Sequence, residues 1–192
     1  MDFYFVRDSR RRFRFLSPGS QELMPTDSSW GKRAWGKAKQ KITSLDPRTL
    51  LQEAAFELAA KRSGEPFRVL VASVDDERKA RMRFSFFLRR QKTRHIFLLA
   101  VEAVAVPVTG LAALLPGPNV LFYFLAALMI IQAQALRGIN RLLREDVSFA
   151  ANRLLEDWEG AVAAEATADY PRILERFEAE LAVPQARKAL WR

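Results

Sequence analysis

The sequence predicts a mostly α-helical membrane protein: a two-helix transmembrane hairpin, a small basic α+β region before it with a possible β-hairpin, and a helical C-terminal tail. Three observations carry that prediction. Residues 96–115 and 120–136 are two apolar runs in which the only formally charged side chain is Glu102. They are separated only by Pro116-Gly117-Pro118-Asn119, through which one helix cannot continue, because each proline lacks an amide donor and disfavours helix in the residue before it. Basic side chains flank both outer ends, with Arg89, Arg90, Lys92 and Arg94 before the first run and Arg137, Arg141 and Arg144 after the second.

A helix crossing the hydrocarbon core needs about 20 apolar residues at roughly 1.5 Å each. Both runs meet or approach that length, the second if Gln132 and Gln134 are tolerated. Two helices joined so tightly must be antiparallel neighbours. The cations place both chain ends on the cytoplasmic or matrix side and make anionic headgroups the expected partner. The competing reading, a hairpin buried in a soluble core, requires enough protein to cover both helices on all faces.

The chain divides at 1–94, 95–138 and 139–192. Near the N-terminus, Phe3-Tyr4-Phe5-Val6 and the period-two Arg12-Phe13-Arg14-Phe15 flank a polar turn, which reads as a β-hairpin or as an aromatic segment on a bilayer surface. Residues 30–42, with Trp30 and clustered lysines, suggest a short basic helix. Asp46-Pro47 is a helix start, an N-cap acceptor before Pro at the first helical position, for a helix over 47–62. Residues 67–74 read as a strand. Asp75-Asp76-Glu77 suit the start of another helix, whose dipole favours carboxylates there, and which can run into the first apolar span. Beyond the hairpin, Ile139, Leu142, Leu143, Val147, Ala150, Leu154, Leu155, Trp158 and Val162 recur at three- and four-residue steps and read as one helical stripe.

Charge is distributed unevenly. Up to Arg94, 22 Lys and Arg accompany 11 Asp and Glu; beyond it, 9 accompany 11. The isoelectric point near 10.3 would ordinarily suggest nucleic acid. The cations beside an apolar span favour lipid instead, and no nucleic-acid partner is expected. No cysteine is present and His95 is the only histidine, which excludes disulfides, thiolate sites and a multi-histidine metal centre within one chain. No nucleophile–base pair, phosphate loop or cofactor motif is visible, so neither an enzyme nor a cofactor is expected. The N-terminus reads neither as a secretory signal nor as an amphipathic presequence.

The chemistry-bearing candidate is Glu102, because a carboxylate within an apolar span is costly and usually faces a partner. Counting equal distances from the turn pairs it with 132–134. Gln134 shares a helical face with Tyr123, Ala127 and Gly138, where small residues permit close helix approach. A Glu102–Gln134 contact is therefore expected. Glu102, Gln134 and Tyr123 are candidates for handling a proton or cation; the alternative for Glu102 is a carboxylate reaching back toward Arg94 and water. Pro107 is a site for a helix kink.

The run Pro116-Gly117-Pro118-Asn119-Val120-Leu121-Phe122-Tyr123, followed by Ala135-Leu136-Arg137-Gly138, resembles the signature of the mitochondrial potassium–proton exchange-related family. Met1-Asp2-Phe3-Tyr4-Phe5-Val6 and Phe13-Arg14-Phe15-Leu16 are similar to its two-strand start, and the resemblance runs to about residue 145. Family members carry Arg and His in the second half of the block, where this chain has Gln132 and Gln134. The resemblance implies cation and proton homeostasis in a mitochondrial or bacterial inner membrane, as a regulator or subunit, with a homo-oligomer or a membrane protein as partner. The alternative is a non-transporting hairpin-anchored scaffold.

Overall fold

The computed structural model describes residues 2–18, 47–62, 66–74, 77–112, 120–183 and 185–191. Its centre is a four-stranded mixed sheet. Strand β1 (Asp2–Arg7) pairs antiparallel with β2 (Phe13–Leu16) and parallel with β3 (Phe67–Val71), which pairs parallel with β4 (Val147–Ala151), giving the order β2-β1-β3-β4. Helix α1 (Pro47–Lys61) leads into β3. Helices α2 (Glu77–Ala112) and α3 (Val120–Arg144) form the crossover from β3 to β4. Three shorter helices follow: α4 (Arg153–Ala163), α5 (Tyr170–Glu180) and α6 (Ala186–Leu190).

Both faces of the sheet are covered, which explains why Phe3-Tyr4-Phe5-Val6 is an unbroken apolar run and not a half-polar alternation. Phe3, Phe5, Phe15, Val69 and Val71 pack against Phe56 of α1, Phe84, Phe87 and Leu88 of α2, and Ile139 and Leu142 of α3. On the opposite face, Tyr4, Val6, Leu16 and Leu70 join Leu155 and Trp158 of α4, Leu174 and Phe177 of α5, and Leu190 of α6. The β1–β2 turn is organised by Asp8, which is fully buried. Its Oδ1 accepts the Arg10 and Arg12 amides, both at 2.9 Å, and its Oδ2 lies 2.9 Å from Arg14 Nη2, while Arg11 takes a left-handed backbone with φ 59°.

The β-hairpin, the helix after Asp46-Pro47 and the long helix from Glu77 follow the sequence expectation, and the strand expected over 67–74 is present but ends at Val71. The fold class does not. Among the described residues no helix is long and apolar enough to cross a membrane, and the architecture is an α/β sandwich instead of a transmembrane hairpin with appendages. The physical reason lies in where the helix pair is rooted. His95, just before the first expected span, and Ala135, near the end of the second, are both fully buried by protein. Apolar sequence there is core against α1 and the sheet, and sequence alone does not distinguish a protein core from a lipid one. The helical tail is a second correction: Val147 and Ala150 lie in β4, so the apolar stripe from Ile139 to Val162 is two helices with a strand between them. The expected helix at 30–42 and the Pro116-Gly117-Pro118-Asn119 turn lie outside the described residues.

Candidate functional site

Helices α2 and α3 are antiparallel: Arg81 Nη1 meets Asp146 Oδ1 at 3.2 Å near the sheet, and His95 of α2 meets Gln132 of α3 further along. Helix α1 packs on α3 and reaches α2 through side chains, Phe56 to Phe87 and Glu53 to His95. Its contact with α3 is extremely close, because a Cβ added at Gly138 would sit 1.9 Å from the Phe56 carbonyl oxygen. Only glycine permits that backbone approach. The small residues expected to let α2 and α3 approach each other thus serve, at Gly138, to seat α1 on α3. Ala135, one turn earlier, is fully buried.

Where the three helices meet, the core changes from aromatic to polar. His95 is fully buried, with its ring edge-on to Phe56 at 6.2 Å between centroids. Its Nδ1 contacts Gln132 Oε1, and its Nε2 lies 3.4 Å from Glu53 Oε1 of α1, which is also buried. Since Gln132 Oε1 only accepts, this contact places the ring hydrogen on Nδ1. Burial lowers the His95 pKa below the ordinary imidazole value, the Gln132 hydrogen bond partly opposes that, and the nearby Arg94 charge adds to it. Gln91 and Glu102 lie on the same side of α2, one turn before and two turns after His95. Among the described residues, buried Gln91 Oε1, His95 Nε2 and Glu102 Oε2 have no hydrogen-bond partner.

Glu102 is only 7 % exposed, and burial raises its pKa above the ordinary carboxylate value. No hydrogen bond joins it to Gln134 among the described residues; the cross-helix polar contact runs from His95 to Gln132 instead. The Tyr123 side chain is outside the described set. Pro107 falls inside α2, which continues to Ala112. No group of three or more His, Cys, Asp or Glu side chains among the described residues is placed to hold a metal.

Above this junction the helix pair turns a different face outward. Phe97 is 66 % exposed and Val104 is 74 % exposed, with Ile96, Val101 and Ile130 about half exposed. Phe97, Val101 and Val104 follow at helical spacing, so they form one apolar stripe on α2. Directly below them the cations are uncommitted: Arg89, Arg90, Lys92, Arg94 and Arg137 make no ion pair among the described residues. Arg141 is different, since it pairs with Glu145 and lies over the Phe67 ring at 5.5 Å.

A model of the mitochondrial K+-H+ exchange-related family matches residues 24–144. The chain belongs to that family. The family segment contains α1, β3, α2 and α3, so the whole junction of Glu53, Gln91, His95, Glu102 and Gln132 lies inside it, whereas β1, β2, β4 and the last three helices lie outside. No curated protein and no solved structure matches the chain.

Sequence reasoning singled out Glu102 and the basic residues, noted His95 only as the one histidine, and passed over Glu53. The available signals were spacing signals. His95 is seven residues before Glu102 and four after Gln91, which is one helical face. Glu53 stands next to Ala54 and Ala55 in a helix whose flanking residues are apolar.

Proposed function

We propose that this family member is a non-enzymatic regulator or subunit of potassium–proton exchange, working against the anionic surface of an inner membrane. The observation that carries this reading is the outward stripe of Phe97, Val101 and Val104 above Arg89, Arg90, Lys92, Arg94 and Arg137, which make no ion pair among the described residues. Large apolar side chains exposed in a row are costly in water and mark an interaction surface. A ring of cations beside them selects phosphate headgroups over an uncharged partner surface, with about 1 kcal/mol for each basic residue near an anionic leaflet. The family description supplies the ion chemistry. Two helices offer no enclosed ion path in one copy, which supports an accessory role over a complete exchanger.

The test uses membrane vesicles from cells lacking the chain, in which an imposed potassium gradient drives a change of internal pH. The proposal expects slower exchange without the chain, restoration on its return, and no flux from the purified chain alone in liposomes. Unaltered exchange in its absence would leave a scaffold role, and full flux from the purified chain would make it the exchanger itself.

A further inference from the structure

The three parallel strands end at one edge of the sheet, β1 at Arg7, β3 at Val71 and β4 at Ala151. In open α/β sheets the crevice beyond the carboxyl ends of parallel strands is where small ligands bind. That crevice holds a cavity of about 100 Å³, some three turns of α2 away from His95. Its floor is apolar. Phe5 and Phe13 stack there at 4.6 Å between ring centroids, and Ala80 of α2 adds a wall. Three charged side chains stand around the floor, Arg7 of β1, Arg83 of α2 and Glu159 of α4.

The Arg7 backbone is fixed by α4, because its amide donates to Glu159 Oε1 at 3.0 Å and its carbonyl accepts from Trp158 Nε1 at 2.7 Å. Its guanidinium lies over the Phe13 ring, 4.9 Å from the centroid. A cation–π contact of this kind orients the fork without consuming a hydrogen-bond donor. Arg7 and Arg83 make no ion pair among the described residues. Two guanidiniums and one carboxylate leave an excess of one positive charge around the cavity. A singly charged anion neutralises that excess, whereas a second negative charge would be set against Glu159 at a cost in binding. The apolar floor favours an anion with a hydrocarbon body over a bare inorganic ion. At about 10–15 Å³ for each water-sized occupant, the space admits fewer than roughly ten non-hydrogen atoms.

We propose that this cavity binds a small organic monocarboxylate. Arg7 and Arg83 hold the carboxylate, Phe5, Phe13 and Ala80 pack on the hydrocarbon body, and Glu159 excludes a second negative charge. The site draws on both parts of the chain. Ala80 and Arg83 lie within the family segment, whereas Arg7, Phe13 and Glu159 lie outside it, so the choice of ligand is set in part by residues beyond that segment. None of these side chains belongs to the stripe or the cations that carry the membrane reading, so each can fail without the other.

Isothermal titration calorimetry on the purified full chain in detergent, without vesicles and at constant ionic strength, reads the binding directly. The probes are butyrate, succinate, inorganic phosphate and butanol. Wild type is expected to bind butyrate saturably and more tightly than the dianion, the inorganic ion or the neutral alcohol. Arg83 is exposed, so Arg83→Gln spares the core, and it should weaken butyrate about tenfold or more through the loss of a charge-assisted hydrogen bond. Arg7→Gln keeps the backbone bonds and should do the same. Glu159→Gln keeps an acceptor for the Arg7 amide but not the charge, and it should narrow the gap between succinate and butyrate severalfold. Arg137→Gln, outside the cavity, should leave each affinity unchanged. The proposal is wrong if butyrate shows no saturable binding, or if Arg83→Gln binds it as wild type does. It is equally wrong if wild type binds succinate and phosphate as tightly as butyrate.

Discussion

The proximal and distal halves of the α2–α3 pair are made of similar residues and serve opposite purposes. Near the sheet, Phe84, Phe87 and Leu88 of α2 and Ala135, Ile139 and Leu142 of α3 face α1 and the strands, and all are buried. Beyond His95, Phe97, Val101 and Val104 face outward. The boundary is chemical as well as geometric. It is marked by a buried polar pair inside, His95 with Glu53, and outside by Arg94 and Arg137, which make no ion pair among the described residues. Apolarity therefore does not by itself tell what a helix packs against. Coverage by a third element decides, and α1 covers only the proximal half.

Substitutions separate the two halves in order of size. Phe56→Ala removes a fully buried ring that stacks on Phe15 at 5.3 Å, and it is expected to cost about 3–5 kcal/mol in chemical denaturation. Gly138→Ala forces a methyl group into the Phe56 carbonyl; α1 must shift, at a cost of about 1–3 kcal/mol. In the distal half, Phe97→Ser with Val104→Ser is expected to change stability within about 0.5 kcal/mol, yet to reduce flotation with phosphatidylglycerol-containing vesicles severalfold. A large loss of stability from that pair would mean that the distal stripe is core after all.

The pH dependence sharpens the boundary further. Glu102 has a raised folded pKa because of burial, so the folded state binds its proton more tightly than the unfolded chain does. Its stabilising contribution is present below the ordinary carboxylate value and is lost as pH rises through the folded value. Glu102→Gln should therefore stabilise the protein at neutral pH and flatten that slope. His95 has the opposite sign. Its folded pKa is lowered, so stability is retained above the ordinary imidazole value and lost as pH falls through the folded one. Denaturation midpoints measured from acid to neutral pH in wild type and Glu102→Gln separate the two contributions.

Local elements were readable wherever the signal was local. Asp46-Pro47 marks the start of α1, the Phe-rich runs mark β1 and β2, and Asp75-Asp76-Glu77 marks the start of α2, whose first residue is Glu77. Strand β4 was not readable. Val147 and Ala150 continue the three- and four-residue spacing of α3 by coincidence, and what makes 147–151 a strand is a vacant edge on β3 some eighty residues upstream. The site was half readable for the same reason. Glu102 is conspicuous in an apolar run. The Glu53–His95 contact depends on α1 packing on α3, and the glycine that permits that approach, Gly138, shows its purpose only beside Phe56.

The most direct test exploits the absence of cysteine, which lets single spin labels be placed at Phe97→Cys and Ile139→Cys. Oxygen accessibility of each label is compared before and after adding vesicles that contain anionic lipid. The label at 97 should become markedly more accessible to oxygen as acyl chains surround it, while the label at 139 stays shielded under α1 in both conditions. An unchanged label at 97, or equal changes at both positions, would contradict the division of the helix pair into a protein-covered root and an exposed end proposed to meet lipid.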